Sequence, residues 1–165
     1  KNRIDELVDS KLRKLGIVPS PICTDAEFLR RAYIDIIGTL PTAAEAKEFI
    51  NDPAPNKRAQ LVDKLLTRPE YADYWSLKWS DLLRVDRQAL GHRGAYSYYR
   101  WVHDSFERNQ PFDQFVRELL LSDGELAQAP AANFFKAVTK PGERASTISQ
   151  VFLGIRIGIE FGKVI

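Results

Sequence analysis

The chain has 165 residues, 44% hydrophobic and 28% charged, a composition typical of one folded domain and not of a disordered segment. It carries 24 Lys and Arg against 22 Asp and Glu, a net charge of +2 without a basic block, so nucleic acid is not an expected partner. The single cysteine, Cys23, excludes an internal disulfide, a cysteine-based zinc site and an iron–sulfur cluster.

The length of the apolar runs and the first residues of the sequence indicate whether a membrane span or a signal segment is to be expected. No apolar run approaches the ~20 residues that a bilayer-spanning helix needs, so we expect no membrane span. No charged-then-apolar signal segment opens the chain, and Met is missing even from position 1. We therefore expect a processed or excised piece from which any targeting signal has been removed.

Helical spacing of apolar residues predicts a first helix over about residues 3–15, with Gly16 at the position of a left-handed C-cap. Pro19 and Pro21 then deny the backbone a helix. One face of the predicted helix carries Ile4, Leu7, Val8, Lys11, Leu12 and Leu15.

Two capping boxes mark the next helices. Thr24 with Glu27 begins a second helix, which Gly38 ends, and Thr42 with Glu45 begins a short third helix. The side chains expected to face inward are Phe28, Leu29, Ala32, Tyr33, Ile36 and Ile37 on the second helix and Ala46, Phe49 and Ile50 on the third.

The middle of the chain predicts four more helices. A long one starts at Pro69, which suits the first helical position, and continues to about Val85. The segment Gly91-His92-Arg93-Gly94 is predicted to be a loop before the next helix, and Pro111 opens a further helix that Ser122-Asp123-Gly124 ends. The helix before Pro69 carries Ala59, Leu61, Val62, Leu65 and Leu66.

Aromatic residues recur at helical spacing in this part of the chain. The pattern predicts a core in which the Trp75/Trp79 helix packs on the Tyr99/Trp101 helix. The alternative is that some rings line a sugar-binding surface, because sugars stack on exposed rings. The whole set is Tyr71, Tyr74, Trp75, Trp79, Tyr96, Tyr98, Tyr99 and Trp101.

A last helix is predicted from near Gly142 to Ile155, after which apolar residues alternate with polar residues or glycine to Ile165. This period of two is typical of a strand with one buried face, and an isolated strand needs a partner. We expect the tail to dock on another polypeptide; the alternative is that the last helix runs on and the tail packs within the same domain. The predicted interaction residues are Ile157, Ile159 and Phe161.

These elements together predict an all-α fold. We expect about eight helices in one orthogonal-type bundle with a strand-like C-terminal tail, and residues 1–165 as a single domain without linker or internal repeat.

Several long motifs in a fixed order resemble one known family. They lie within residues 4–21, 28–42, 61–84 and 99–116, and include Leu-Gly-Ile-Val-Pro-Ser-Pro and Asn-Gln-Pro-Phe-Asp-Gln-Phe-Val. The chain resembles the planctomycete-type helical domain of unknown function that is found beside cytochrome c-like modules in large exported proteins. The resemblance implies a helical fold and a periplasmic or exported location.

In that family, a Cys-x-x-Cys-His haem-attachment motif would follow one residue after Ile157. Here Ile159 and Gly162 stand at the cysteine positions and Lys163 at that of the axial histidine, so we expect no covalent haem. Non-covalent haem is the alternative. The candidate ligands are then the only two histidines, His92 and His103.

Cys23 and several aspartates are the other residues to consider for chemistry. Cys23 precedes a helix N-terminus, where a thiol could act as a nucleophile, but it has no histidine near it in sequence, so we expect a structural or incidental role. Asp35, on an otherwise apolar helix, is expected to be half-buried and paired with Arg30 or Arg31. The acids that could pair for glycoside chemistry, or simply lie on solvated faces, are Asp63, Asp73, Asp81, Asp86 and Asp104.

We therefore expect a non-catalytic scaffold or protein-interaction module of a larger extracytoplasmic assembly, with a protein partner and no cofactor. One alternative is an electron-transfer domain that has its haem from elsewhere. A third is a carbohydrate-binding or carbohydrate-active module.

Overall fold

The structure is a computed structural model that describes residues 2–124 and 129–157. Within these ranges every regular element is helical, which confirms the all-α prediction for them, and none of the helices is both long and apolar enough to cross a membrane. The α-helices are α1 (Arg3–Lys14), α2 (Asp25–Ile37), α3 (Ala43–Asn51), α4 (Lys57–Leu66), α5 (Pro69–Leu82), α6 (Arg87–Glu107), α7 (Phe112–Leu121), α8 (Asn133–Ala137) and α9 (Pro141–Ile148). A 3-10 turn covers Pro130–Ala132, and a π-helical segment covers Ser149–Leu153.

Both predicted capping boxes are confirmed. The hydroxyls of Thr24 and Thr42 accept hydrogen bonds from the backbone N–H groups of Glu27 and Glu45, each at 3.3 Å. The two glutamates in turn accept from the threonine backbones at 2.8 Å. A third box, between Asn2 and Asp5, starts α1. These bonds satisfy N–H groups that have no partner inside the helix and so fix where each helix begins.

The buried apolar side chains form two clusters. The first core comes from α2, α3 and α4 and contains Leu29, Ala32, Tyr33, Ile37, Phe49, Leu61 and Leu65. The second core comes from the later helices and contains Leu83, Leu90, Ala95, Tyr98, Val102, Phe115, Leu119, Phe134 and Val138.

Helix α5 connects the two cores. The indole N–H of Trp75 donates to the carbonyl of Ile36 at 3.1 Å, which ties α5 to α2. The ring of Tyr71 packs against the first core and lies 6.5 Å, centroid to centroid, from Phe106 at the edge of the second. Gly38 ends α2 in the left-handed region with φ of 70°, and a Cβ there would lie 2.2 Å from the Tyr74 ring. This glycine therefore both turns the chain and allows α5 to approach.

The predicted loop at residues 91–94 is wrong. Helical geometry is interrupted only at Gly91, with φ of 72° and ψ of 170°, and α6 then continues through His92 and Gly94 to Glu107. A Cβ at Gly94 would lie 3.1 Å from the side-chain oxygen of the fully buried Asn133. Gly94 is thus small because α6 and α8 pack closely, and not because the helix stops there.

Other predicted boundaries and burials also need correction. Helix α5 ends at Leu82 and not near Val85, because Arg84 adopts a left-handed conformation with φ of 59°. Ile50 is exposed, and so is Asp35, which needs no buried partner.

The predicted last helix to Ile155 also needs correction. The α-helical geometry ends at Ile148, and Gly154 closes the following π-helical segment in the left-handed conformation. Residues 155–157 have no regular secondary structure. The rest of the predicted strand, from residue 158 onward, lies outside the described residues.

Candidate functional site

Helix α1 has an exposed apolar face. Its side chains are Ile4 (70% exposed), Leu7 (57%), Val8 (50%), the half-buried Leu12 and, at the C-cap, Leu15 (57%). No residue of α1 is buried, and none belongs to either core. An amphipathic helix normally covers its apolar face with a neighbouring element. Here the face is presented outward.

The segment between α1 and α2 extends this apolar surface. Ile17 is 51% exposed, and Val18 and Ile22 are each 88% exposed. Adjacent exposed apolar side chains of this size mark an interaction site more often than isolated ones do. Burying apolar area stabilises a complex by about 25 cal/mol per Å² before the costs of association are subtracted. The segment and the apolar face of α1 could therefore contribute to one contact.

Of the predicted interaction residues in the tail, only Ile157 can be placed. It is 41% exposed and follows the π-helical segment. Ile159 and Phe161 lie outside the described residues, as do the positions Gly162 and Lys163 of the expected haem register.

A polar cleft of about 600 Å³ lies where the end of α5 meets α9. We call it the polar lobe. Its side chains at this junction include Ser80, Asp81, Arg84, Ser146, Thr147 and Gln150. The hydroxyl of Ser80 is buried and has no hydrogen-bond partner within residues 2–124 and 129–157, although a buried hydroxyl usually has one.

A second cleft, of about 500 Å³, adjoins the polar lobe and shares Ser80, Asp81 and Val85 with it. We call it the aromatic lobe, because the rings of Tyr96 and Tyr99 line it together with Leu77, Arg87 and His92. Tyr96 is 66% exposed and Leu77 is 62% exposed. The two lobes form one continuous polar and aromatic surface around Ser80.

Most of the aromatic set predicted from the sequence is structural. The helices that carry Trp79 and Trp101 pack together as predicted, but the two indoles meet through Phe115 of α7. Tyr98 is fully buried, and burial raises the pKa of its phenol well above the usual range. Of the rings in that set, Tyr96 and Tyr99 are the ones that line the aromatic lobe.

The structure does not bring the two histidines together. His92 and His103 lie on the continuous part of α6, eleven residues or about 16 Å apart along the axis. His92 is exposed beside the aromatic lobe, whereas Nε2 of His103 lies 3.1 Å from Oδ1 of Asp73 on α5. Their placement does not bring them onto a common haem or metal ion.

His103 belongs to a charged cluster that the sequence does not reveal. Its Nδ1 lies 3.5 Å from Oδ1 of Asp104 and 4.0 Å from Oε2 of Glu107. The ligand atoms of these three residues lie within 4.8 Å of one another, close enough for one metal ion. A guanidinium nitrogen of Arg100, however, already lies 3.1 Å from the same Asp104 oxygen. The carboxylate of Asp104 is therefore already paired with the positive charge of Arg100.

Cys23 is half-buried, and its carbonyl accepts a hydrogen bond from Arg58 at 2.8 Å. The same arginine and Lys57 bind the carboxylate of Asp25 and lower its pKa through hydrogen bonds, that of Lys57 being the larger effect. The contacts of Cys23 described here tie α4 to the start of α2.

Of the acids considered for glycoside chemistry, the structure brings Asp81 and Asp86 together at the polar lobe. The carboxylate of Asp86 is already occupied there, because it caps α6.

Sequence reasoning missed the polar lobe as a site. Ser80 and Thr147 are 67 positions apart, and neither belongs to a recognised motif. The one local signal is Asp81, which is among the acids that could pair for glycoside chemistry.

One of three comparisons with known proteins gives a match. Residues 3–158 match the family model PSCyt2, described as a protein of unknown function (DUF1549). No curated protein and no solved structure matches the chain. Because the match covers nearly the whole sequence, the chain belongs to the PSCyt2 family of proteins of unknown function.

Proposed function

We propose that the domain is a non-catalytic protein-interaction module of a larger extracytoplasmic assembly, and that it docks through the apolar face of α1. The observation that carries the proposal is that Ile4, Leu7, Val8 and Leu15 share one face of α1 and are each at least half exposed. A face of this kind contributes nothing to the two cores, but it would lose its contact with water on a partner.

The shape of the surface suggests the kind of partner. Helix α1 has 12 residues and is therefore about 18 Å long, with apolar side chains on one side and charged ones elsewhere. A single amphipathic helix is typically held in an apolar groove that takes side chains at positions i, i+3, i+4 and i+7. We therefore propose a protein partner with an apolar groove, and a second contact from the tail at Ile157, Ile159 and Phe161.

The resemblance to exported proteins supports the extracytoplasmic part of this proposal. The proposal keeps two further features that the sequence predicts. These are an orthogonal-type crossing of the helices and a strand-like C-terminal tail. The placement of His92 and His103, which do not converge, does not favour the alternative of electron transfer.

Site-specific photo-cross-linking in cells that make the assembly tests the docking surface. Val8 and Glu6 are two positions apart, or about 200° around the helix, so a photoreactive residue at Val8 lies on the apolar face and one at Glu6 on the opposite side. We expect a defined cross-linked protein from Val8 and none from Glu6. Leu7→Asp should abolish that cross-link without changing the melting temperature. Equal cross-linking at both positions, or none at Val8, would contradict the proposal.

A further inference from the structure

We propose that the polar and aromatic lobes around Ser80 together bind a neutral carbohydrate. The proposal is independent of the docking surface on α1, because none of the residues lining the two lobes belongs to that helix. It assigns a ligand to the part of the molecule where unengaged polar side chains and exposed rings meet.

The buried hydroxyl of Ser80 is the first observation. The residue is 8% exposed and lines both lobes, and its buried oxygen has no hydrogen-bond partner among the described residues. A buried hydroxyl without a partner is costly and therefore uncommon, and a ligand hydroxyl that displaced the atoms covering it would remove that cost. Ser76, one turn earlier on the same helix, donates to the carbonyl of Asp73, so helix geometry alone does not leave Ser80 unpaired.

The second observation is the supply of free donors and acceptors. The side chains of Asp81, Arg84, Ser146, Thr147 and Gln150 line the polar lobe and make no hydrogen bond or ion pair with any described residue. Together they offer a carboxylate, a guanidinium, two hydroxyls and an amide. A ligand rich in hydroxyl groups, which both donate and accept, matches this mixture.

The charge of the polar lobe indicates a neutral ligand. The charged residues that line it are Arg84, Arg156, Asp81, Asp86 and Glu143, two cations against three anions. Asp86 is occupied with two backbone N–H groups of α6, and Glu143 pairs with Lys140 at 3.0 Å. Counted together, the five charges sum to −1, and without the two engaged acids they sum to +1, so the lobe lies within one unit of neutrality on either count and does not select a strongly charged ligand.

The aromatic lobe supplies the apolar contact that sugars use. The rings of Tyr96 and Tyr99 line it, and that of Tyr96 is 66% exposed. The C–H face of a pyranose stacks on such a ring, while its hydroxyls bond to polar neighbours. Volumes of about 600 and 500 Å³ for the two lobes are within the usual range of ligand pockets, and a disaccharide could contact both.

Titration of the full chain with cellobiose, maltose and chitobiose, followed by amide NMR shifts and calorimetry, tests the inference. We expect at least one of them to shift resonances in both lobes saturably, with a Kd on the order of 0.1–10 mM. Glucuronate should bind more weakly. Ser80→Ala and Tyr96→Ala should each weaken binding about tenfold, equivalent to the loss of one good contact.

Two matched controls keep the outcome interpretable. Ile50→Ala removes an apolar side chain of similar exposure outside both lobes and should leave affinity unchanged. Ser80→Ala should melt no lower than the parent, because the hydroxyl it removes has no partner. No saturable shift up to about 50 mM of any neutral disaccharide, tighter binding of glucuronate, or parent-like affinity in both cleft variants would overturn the inference.

Discussion

The indole of Trp101 stacks on the ring of Phe115, with centroids 4.8 Å apart and 13° between the ring planes. The indole of Trp79 contacts the same ring edge-on at 5.3 Å. One phenylalanine from α7 thus joins the aromatic side chains of α5 and α6, and the second core depends on it.

Phe115→Ala should therefore destabilise the domain by about 3–5 kcal/mol, because it removes a ring that is 4% exposed and contacts two indoles. Phe112→Ala, on the same helix but at a position 57% exposed, should cost less than half as much. Urea unfolding of the two variants checks the difference. Equal costs would mean that Phe115 is not the central ring of the second core.

Gly38→Ala should be more damaging than Gly16→Ala. Both glycines adopt left-handed conformations, with φ of 70° and 66°, so each substitution carries a backbone cost of about 1 kcal/mol. Only at Gly38 does the added Cβ meet another group, the Tyr74 ring at 2.2 Å, whereas nothing lies within 4 Å at Gly16. We expect Gly38→Ala to lose about 1–3 kcal/mol more in chemical denaturation. Similar losses would show that α5 can retreat from α2 freely.

The carboxylate of Glu45 gives the stability of the fold a defined pH dependence. Hydrogen bonds from the backbone and hydroxyl of Thr42, and from Tyr33 and Arg68, lower its pKa to about 2. Because the folded pKa lies below the unfolded value of 4.5, this stabilisation is present above about pH 4.5 and is lost as the pH falls toward about 2.

Glu45→Gln should accordingly cost about 1–2 kcal/mol at pH 7, after allowance for solvent screening, and the deficit should shrink below pH 4.5. Urea denaturation at pH 7, 5 and 3 measures it. Glu48→Gln, an exposed change on the same helix, is the matched control and should cost little at any of these values. A deficit for Glu45→Gln that did not change with pH would contradict the assignment.

The sequence also predicts that no haem is covalently attached, since Ile159, Gly162 and Lys163 occupy the positions of the attachment motif. Intact mass spectrometry of the denatured protein should give the mass of the 18.8 kDa polypeptide alone. An added mass of one haem would show that this register is wrong.

Local chemistry explains which parts of the fold were predictable. Thr24 with Glu27 and Thr42 with Glu45 satisfy N–H groups within three residues, so the sequence is enough to locate both helix starts. Gly94 shows the opposite case. Its role is to admit Asn133 from α8, a tertiary contact that no local pattern contains, so in the sequence alone this glycine wrongly indicates a loop.

The candidate sites were predictable to a smaller extent for the same reason. The spacing from Ile4 to Leu15 correctly indicates an apolar helix face, but whether another element covers that face is decided by tertiary structure. The lobes around Ser80 combine residues from α5, α6 and α9, each ordinary in its own segment. Only their juxtaposition makes them a candidate binding site.

Amide hydrogen exchange of α1, in the free chain and in the assembly, tests most directly whether its apolar face is a docking surface. A 12-residue helix without a buried residue is marginal in water, so its amides should exchange at least about a thousandfold faster than the core amides of α6 in the free chain. In the assembly they should become strongly protected. Protection of α1 equal to that of α6 in the free chain, or no gain on assembly, would contradict the account.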